Sequence, residues 1–125
     1  KGYDVLDVGT YDEASVDYPD YAAKVGHLVA DGEYPKGVLV CGSGLGVTIA
    51  ANKIGGVRAV TANDVESAKL GRAHNNANVL GMGARLIDSE LASRVLDEWL
   101  KTEFLGGRHE RRLEKITLIE GEERR

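Results

Sequence analysis

The chain has 125 residues, a length that fits one domain with a substantial hydrophobic core. Hydrophobic residues make up 42% and charged residues 29%, an ordinary globular balance, and a net charge of −4 gives no reason to expect a nucleic-acid partner. The single cysteine cannot form an internal disulfide and no metal-type Cys/His cluster occurs, which suits a reducing cytoplasm; with no apolar run near about 18 residues and no signal-peptide pattern, neither membrane insertion nor export is expected.

In chain order, strand-like and helix-like segments alternate. Lys1-Gly2 reads as the end of a helix, with a cation in the last turn and glycine at the cap, so a strand and helix unit of roughly 25 residues is expected to precede residue 1. Residues 3–8 form a β-prone run ended by Gly9. Residues 18–30 place Tyr21, Ala22, Val25, Leu28 and Val29 at helical spacing, with Asp17 as cap and Pro19 in the first turn. His27 in this helix is assigned no function. Residues 37–41 read as a buried strand, followed by a glycine turn and a helix over 47–53.

Gly55-Gly56 separates that helix from a strand over 57–61. Asp64 can cap a helix running towards His74, and 78–82 read as a further strand. Asp88 or Ser89 starts a helix carrying Leu91, Val95, Leu96, Trp99 and Leu100 on one face. A last helix over 109–120 has Leu113, Ile116 and Ile119 as its apolar positions, and the charged tail 120–125 is expected to fray. Strands separated by helices imply a single α/β domain over 1–125, a Rossmann-like, doubly wound parallel sheet with helices on both faces.

The residues with chemical potential fall in four places. The run Val38-Leu39-Val40-Cys41-Gly42-Ser43-Gly44-Leu45-Gly46-Val47 brings a thiol to the end of a strand, where glycines let backbone N–H groups approach an anion. His74, followed by Asn75, Asn76 and Asn78, lies at a helix end rather than a strand end. Taken alone it reads as a surface histidine, although clustered asparagines favour a polar pocket. Arg108 and Arg112, four apart on one helix face, can clamp a phosphate by forked hydrogen bonds, or form a solvated charged face with Glu110 and Glu114. Tyr18, beside its capping Asp17, can line a pocket.

Five segments together carry a specific resemblance: Asp17-Tyr18-Pro19, Cys41-Gly42-Ser43-Gly44-Leu45-Gly46, Ala50-Ala51-Asn52-Lys53, Arg72-Ala73-His74-Asn75 and Gly106-Gly107-Arg108-His109-Glu110-Arg111-Arg112. In this order and spacing the chain, from residue 1 to about 119, resembles the family of ribose-5-phosphate isomerase B and the galactose-6-phosphate isomerase subunits. The resemblance implies a cytoplasmic aldose–ketose isomerase acting between ribose 5-phosphate and ribulose 5-phosphate, in the non-oxidative pentose phosphate pathway, with no metal and no organic cofactor. It matches Cys41 to the base that moves a proton between C2 and C1 through a cis-enediol(ate). Ser43 stands where relatives often have threonine and would assist proton transfer at oxygen, and His74 matches the acid that opens the furanose ring. The backbone of Gly42, Ser43, Gly44, Leu45 and Gly46 would hold the oxyanion. Asn75 would bind the sugar, and Arg85, Arg108 and Arg112 match phosphate or substrate contacts.

The resemblance also implies a homodimer or dimer of dimers with its site at a subunit boundary. Relatives begin with a strand ending in an Asp-His pair that contacts the substrate, and this chain lacks that pair. Three other readings stand beside it. A six-carbon substrate, allose or galactose 6-phosphate, would need a different pocket depth. A non-catalytic sugar-phosphate sensor would need the arginines but not Cys41. A dinucleotide-binding module would explain the glycine turn and Asp64, but the spacing of Gly42, Gly44 and Gly46 argues against it.

Overall fold

The computed structural model of the protein describes residues 3–9 and 17–124. Their order is α1 (Tyr18–Ala30), β1 (Gly37–Cys41), α2 (Leu45–Ala51), β2 (Ala59–Thr61), α3 (Val65–Ala73), β3 (Val79–Gly83), α4 (Ser89–Lys101) and α5 (Arg108–Glu123). The strands form one parallel sheet in the order β1-β3-β2, with Gly37 opposite Val79 and Cys41 opposite Gly83. This is the expected α/β architecture.

β3 is the centre of the domain, and all five of its residues are buried. On one face, Val79 joins Leu39, Ala59, Ala22, Val29, Val47 and Ala51, so α1 and α2 cover that side. On the other, Leu80 and Met82 pack with Ala62, Ala68, Val95 and Trp99 under α3 and α4. Full burial of a side chain the size of Leu80 contributes about 1.5–3 kcal/mol, so this two-sided packing is the main local source of stability. The expected apolar face of α4 does this work, with Val95 and Trp99 wholly buried. Asp64 and Asp88 cap α3 and α4 through bonds from Ser67 N–H (2.7 Å) and Leu91 N–H (2.8 Å).

Several boundaries differ from the sequence reading, each for a physical reason. Residues 3–8 are not a strand. They make no ladder to the sheet, expose Tyr3, Val5 and Leu6, and end where Asp7 accepts a bond from Gly9 N–H (2.8 Å). β1 is buried on one face only: Leu39 is covered, but Val38 and Val40 face a cavity of about 1060 Å³ whose walls include Leu6, Tyr18 and Trp99.

β2 begins at Ala59 rather than at 57, because Val57 N–H closes a turn onto the Ile54 carbonyl and Arg58 N–H bonds the Asn78 side chain. α2 begins at Leu45, directly after Gly44, whose φ of 81° is a left-handed conformation that favours glycine. α5 continues to Glu123 where fraying was expected from 120; Glu120 is held by a bond from Gly56 N–H (2.7 Å). Lys1, Gly2 and Arg125 lie outside the described residues, and so does the expectation drawn from the first two.

Asn52 closes α2 onto β2, its side chain accepting from Ala59 N–H (2.8 Å) and donating to the Ala59 carbonyl (2.9 Å). Asn52→Ala leaves both groups without that partner and is expected to cost about 1–2 kcal/mol. Urea denaturation measures this; a change within about 0.5 kcal/mol would show that water replaces the clamp at no cost.

Candidate active site

Cys41 ends β1, and the chain then folds back so that its N–H groups converge on the sulfur. Gly44 N–H donates to Cys41 Sγ at 3.2 Å. Partial burial of the thiol pushes its pKa up, but hydrogen bonds from the N–H groups of Val47, Gly44, Ser43 and Gly46 outweigh it, and the net result is below the ordinary thiol value. Ser43 presents its hydroxyl next door, where it accepts from Leu45 N–H at 3.2 Å. The loop therefore combines a thiol inclined to ionise with donors for a second negative charge.

Two side chains flank this loop. Arg85, in the turn after β3, reaches over Gly42, where a Cβ would lie 3.4 Å from Arg85 Cδ and 3.5 Å from Nε. Its N–H is tied to the Gly42 carbonyl (3.0 Å). Tyr18, the first residue of α1, lays its ring on Gly46, where a Cβ would come within 2.5 Å of Cζ. Arg85 thus occupies the strand-end rim expected of it, and Tyr18 lines the loop.

His74, Asn75, Arg108 and Arg112 form a second cluster. His74 caps α3 and stacks on His109 of α5, with ring centroids 4.2 Å apart and planes inclined by 13°. Burial, then the positive charge of His74, Arg108 and Arg112, lowers the His109 pKa, so this imidazole stays neutral to lower pH than a free one. The turn beneath is held by Arg72, which is buried. It donates to the Asn76 side chain (2.9 Å) and to the Ala77 (2.7 Å) and Thr102 (3.2 Å) carbonyls. Arg72 is thereby a structural clasp, and it keeps Asn76 at φ 45° and Asn75 exposed beside it.

The two clusters lie at opposite ends of the sheet. Cys41 pairs with Gly83 at the carboxyl ends of β1 and β3, whereas Gly37 N–H bonds the Asn78 carbonyl at their amino ends, four residues from His74. The strands alone separate those ends by about 13 Å, at ~3.3 Å per residue. One chain therefore brings Cys41, Ser43, the glycine backbone and Arg85 together, and separately His74, Asn75, Arg108 and Arg112. It does not unite the two sets. α5 crosses the second end with no residue buried, leaving Ile116, Leu118 and Ile119 exposed.

Sequence reasoning missed His109 as a partner of His74, and it missed Thr48, Thr61 and Asn63, which bond the loop carbonyls. Short polar side chains carry no motif; Thr48 reaches back one turn within α2, and the parallel register of β2 and β3 brings Thr61 and Asn63 to the loop. Among the described residues no group of three or more His, Cys, Asp or Glu is placed to hold a metal ion, and no helix is long and apolar enough to cross a membrane.

Comparison with known proteins gives the kinship of this arrangement. The model of a family described as Ribose/Galactose Isomerase matches residues 1–116. Ribose-5-phosphate isomerase B of Escherichia coli (strain K12) is 48% identical over 120 residues, covering 96% of this chain and 80% of the relative. The solved ribose-5-phosphate isomerase B of Clostridium thermocellum superposes with a TM-score of 0.96 at 47% identity, over 98% of this chain and 82% of the other. That of Mycoplasma genitalium, solved with bound ribulose-5-phosphate, gives a TM-score of 0.92 at 41% identity, over 96% of this chain and 80% of the other.

The amide donors around Cys41 set a measurable expectation. Because they favour the charged form, the pH midpoint for alkylation of Cys41 by iodoacetamide should fall below that of free cysteine measured alongside. A midpoint at or above the free thiol would mean that burial outweighs the hydrogen bonds.

Proposed function

The chain belongs to the ribose/galactose isomerase family, and from that premise we propose that it interconverts D-ribose 5-phosphate and D-ribulose 5-phosphate with Cys41 as the base. The observation that carries the assignment of the base is the Cys41 thiol inside a fan of backbone N–H groups, next to the Ser43 hydroxyl and the Arg85 guanidinium. The Cys41 thiolate removes the proton from C2 of the open aldose, and the electrons of that C–H bond form the C1=C2 double bond. The negative charge moves to O1, where the loop N–H groups hold it until it is protonated. The Cys41 thiol then returns its proton to C1, and loss of the O2 proton restores a carbonyl at C2. Ser43, within the same loop, relays protons between the two oxygens.

Ring opening needs an acid at the ring oxygen, and His74 takes that role, with Asn75 on the sugar hydroxyls. Arg85, Arg108 and Arg112 hold the phosphate, so that binding energy away from the reacting carbons orients them. A proton donor acts at hydrogen-bond distance, about 3 Å, which the length of the sheet forbids to His74 and Cys41 of one chain. The site is therefore completed by a second copy: Cys41, Ser43 and Arg85 come from one protomer, and His74, Asn75, Arg108 and Arg112 from its partner. The exposed apolar residues of α5, contiguous with the His74 cluster, supply surface for that association. A homodimer is the smallest assembly that satisfies this, and a dimer of dimers satisfies it equally.

Two measurements test these statements. Cys41→Ala should lower kcat by about 10²–10⁴-fold while ribose 5-phosphate still binds; unchanged turnover would mean that another group is the base, and a parent protein that binds ribose 5-phosphate without turning it over would leave the sensor reading. Subunits carrying Cys41→Ala and subunits carrying His74→Ala, each inactive, should recover on the order of a quarter of parental activity when refolded together, because each mixed dimer then holds one intact site. No recovery, with mixed dimers demonstrated by mass spectrometry, would place both residues in a site of one chain.

A further inference from the structure

We propose that Asn63 is a positioning residue for the reaction: by gripping the Ser43 carbonyl it turns the peptide between Ser43 and Gly44 so that the Gly44 N–H points at the Cys41 sulfur.

The geometry is a consequence of peptide planarity. In a trans peptide the carbonyl and the N–H of one unit point in opposite directions, so holding one aims the other. Asn63 Nδ2 donates to the Ser43 carbonyl at 3.1 Å, and from the far side of the same peptide Gly44 N–H reaches Cys41 Sγ at 3.2 Å. Asn63 is itself fixed from below, because its Oδ1 accepts from Gly83 N–H at 2.7 Å. The amide thus ties the loop to the carboxyl end of β3, where Gly83 has no side chain to keep them apart: a Cβ there would lie 2.6 Å from the Ser43 carbonyl.

The next peptide repeats the device with other side chains. The Thr48 and Thr61 hydroxyls lie 2.7 and 2.8 Å from the Gly44 carbonyl and 2.7 Å from each other, and the Leu45 N–H of that unit points to Ser43 Oγ. The loop therefore sends the Ser43 and Gly44 carbonyls inward to side chains of α2, of β2 and of the turn before α3, and the N–H groups of the same two peptides outward to the Cys41 sulfur and the Ser43 hydroxyl. Left in water, a glycine-rich loop would sample many peptide orientations; this grip fixes the productive one before substrate arrives. The Arg85 guanidinium lies over Gly42 and the Tyr18 phenol over Gly46. Asn63 bonds the Ser43 carbonyl and Gly83 N–H and neither of these side chains, so its effect on the thiol can be separated from theirs.

The inference rests on Cys41 as the proposed base, yet its test reads the thiol and not turnover alone. In Asn63→Ala the pH midpoint of Cys41 alkylation should rise by about one unit, the effect of one lost hydrogen bond to an anion. kcat for ribose 5-phosphate at neutral pH should drop about tenfold with KM little changed. Asn52→Ala, a backbone clamp away from the loop, provides the comparison for a merely structural loss and should leave the midpoint where it was.

If Asn63→Ala does not fold, Asn63→Asp keeps an acceptor for Gly83 N–H but sets an oxygen against the Ser43 carbonyl. Its midpoint, taken at about 1 M salt to screen the added charge, should rise likewise. A raised midpoint supports the grip on the thiol whatever Cys41→Ala does to turnover; if that variant retains turnover, the assignment of Cys41 as base fails, and with it the link from the grip to the reaction. A midpoint that is unchanged in a folded Asn63 variant overturns it.

Discussion

The close approach of two main chains, the loop after β1 and the carboxyl half of β3, is the contact on which the rest of this structure depends. Gly44 sits so near the Met82 backbone that a Cβ would lie 2.9 Å from its carbonyl carbon, and Gly81 and Gly83 clear the same space from the other side. Such an approach is stable only if β3 cannot move. β3 is paired on both edges and buried on both faces, and a one-residue shift of register would turn Leu80 and Met82 into the space that Gly81 and Gly83 leave for the loop. The position of a thiol at the surface is thus set by apolar packing several residues away. Both hydrophobic clusters contribute, one through Val79 and the other through Leu80 and Met82.

The two ends of the sheet attract negative charge in different ways. At the carboxyl end, beside the Arg85 guanidinium, the loop turns N–H dipoles outward, suited to charge that appears and disappears during a reaction. At the amino end the polar groups are the guanidiniums of Arg108 and Arg112 beside two stacked imidazoles, suited to a permanent anion. The common element is a polar side chain bonded to main-chain atoms: Asn63 at one end, the buried Arg72 at the other. In the proposed assembly these two kinds of surface face one another across a subunit boundary, which explains why neither is a complete site in one chain.

Much of the fold was legible because it depends on local signals. Asp64 caps α3 as expected, Asp88 of the two residues expected at the start of α4 is its cap, and Val95 and Trp99 are buried as their spacing required. The run over 3–8 misled because alternation and β-branched residues describe a chain that could pair, whereas pairing also needs a free edge in register. The start of β2 was misplaced for a related reason, since Arg58 N–H takes a side-chain partner that no local pattern reveals. At the site, the glycine turn and the arginine pair could be read from spacing. Asn63 and Thr61 could not, because each meets its carbonyl only through the sheet, and Thr48, although it bonds the carbonyl one turn back in its own helix, carries no pattern that marks that bond. The separation of Cys41 from His74 follows from the parallel register, and a list of motifs along one dimension does not contain it.

The donors around Cys41 belong to the peptide backbone, and that has an evolutionary consequence. A side-chain donor is lost with one codon change, but the N–H groups of residues 43, 44, 46 and 47 persist through any replacement that keeps the loop's shape. The group at position 41 is not under the same restriction: a carboxylate or hydroxyl there would meet the same donors. Under the proposed mechanism, anion stabilisation and proton abstraction are therefore separable: the first is carried by the shape of the chain and the second by the one side chain at position 41, so a change of base there would not require a new cradle.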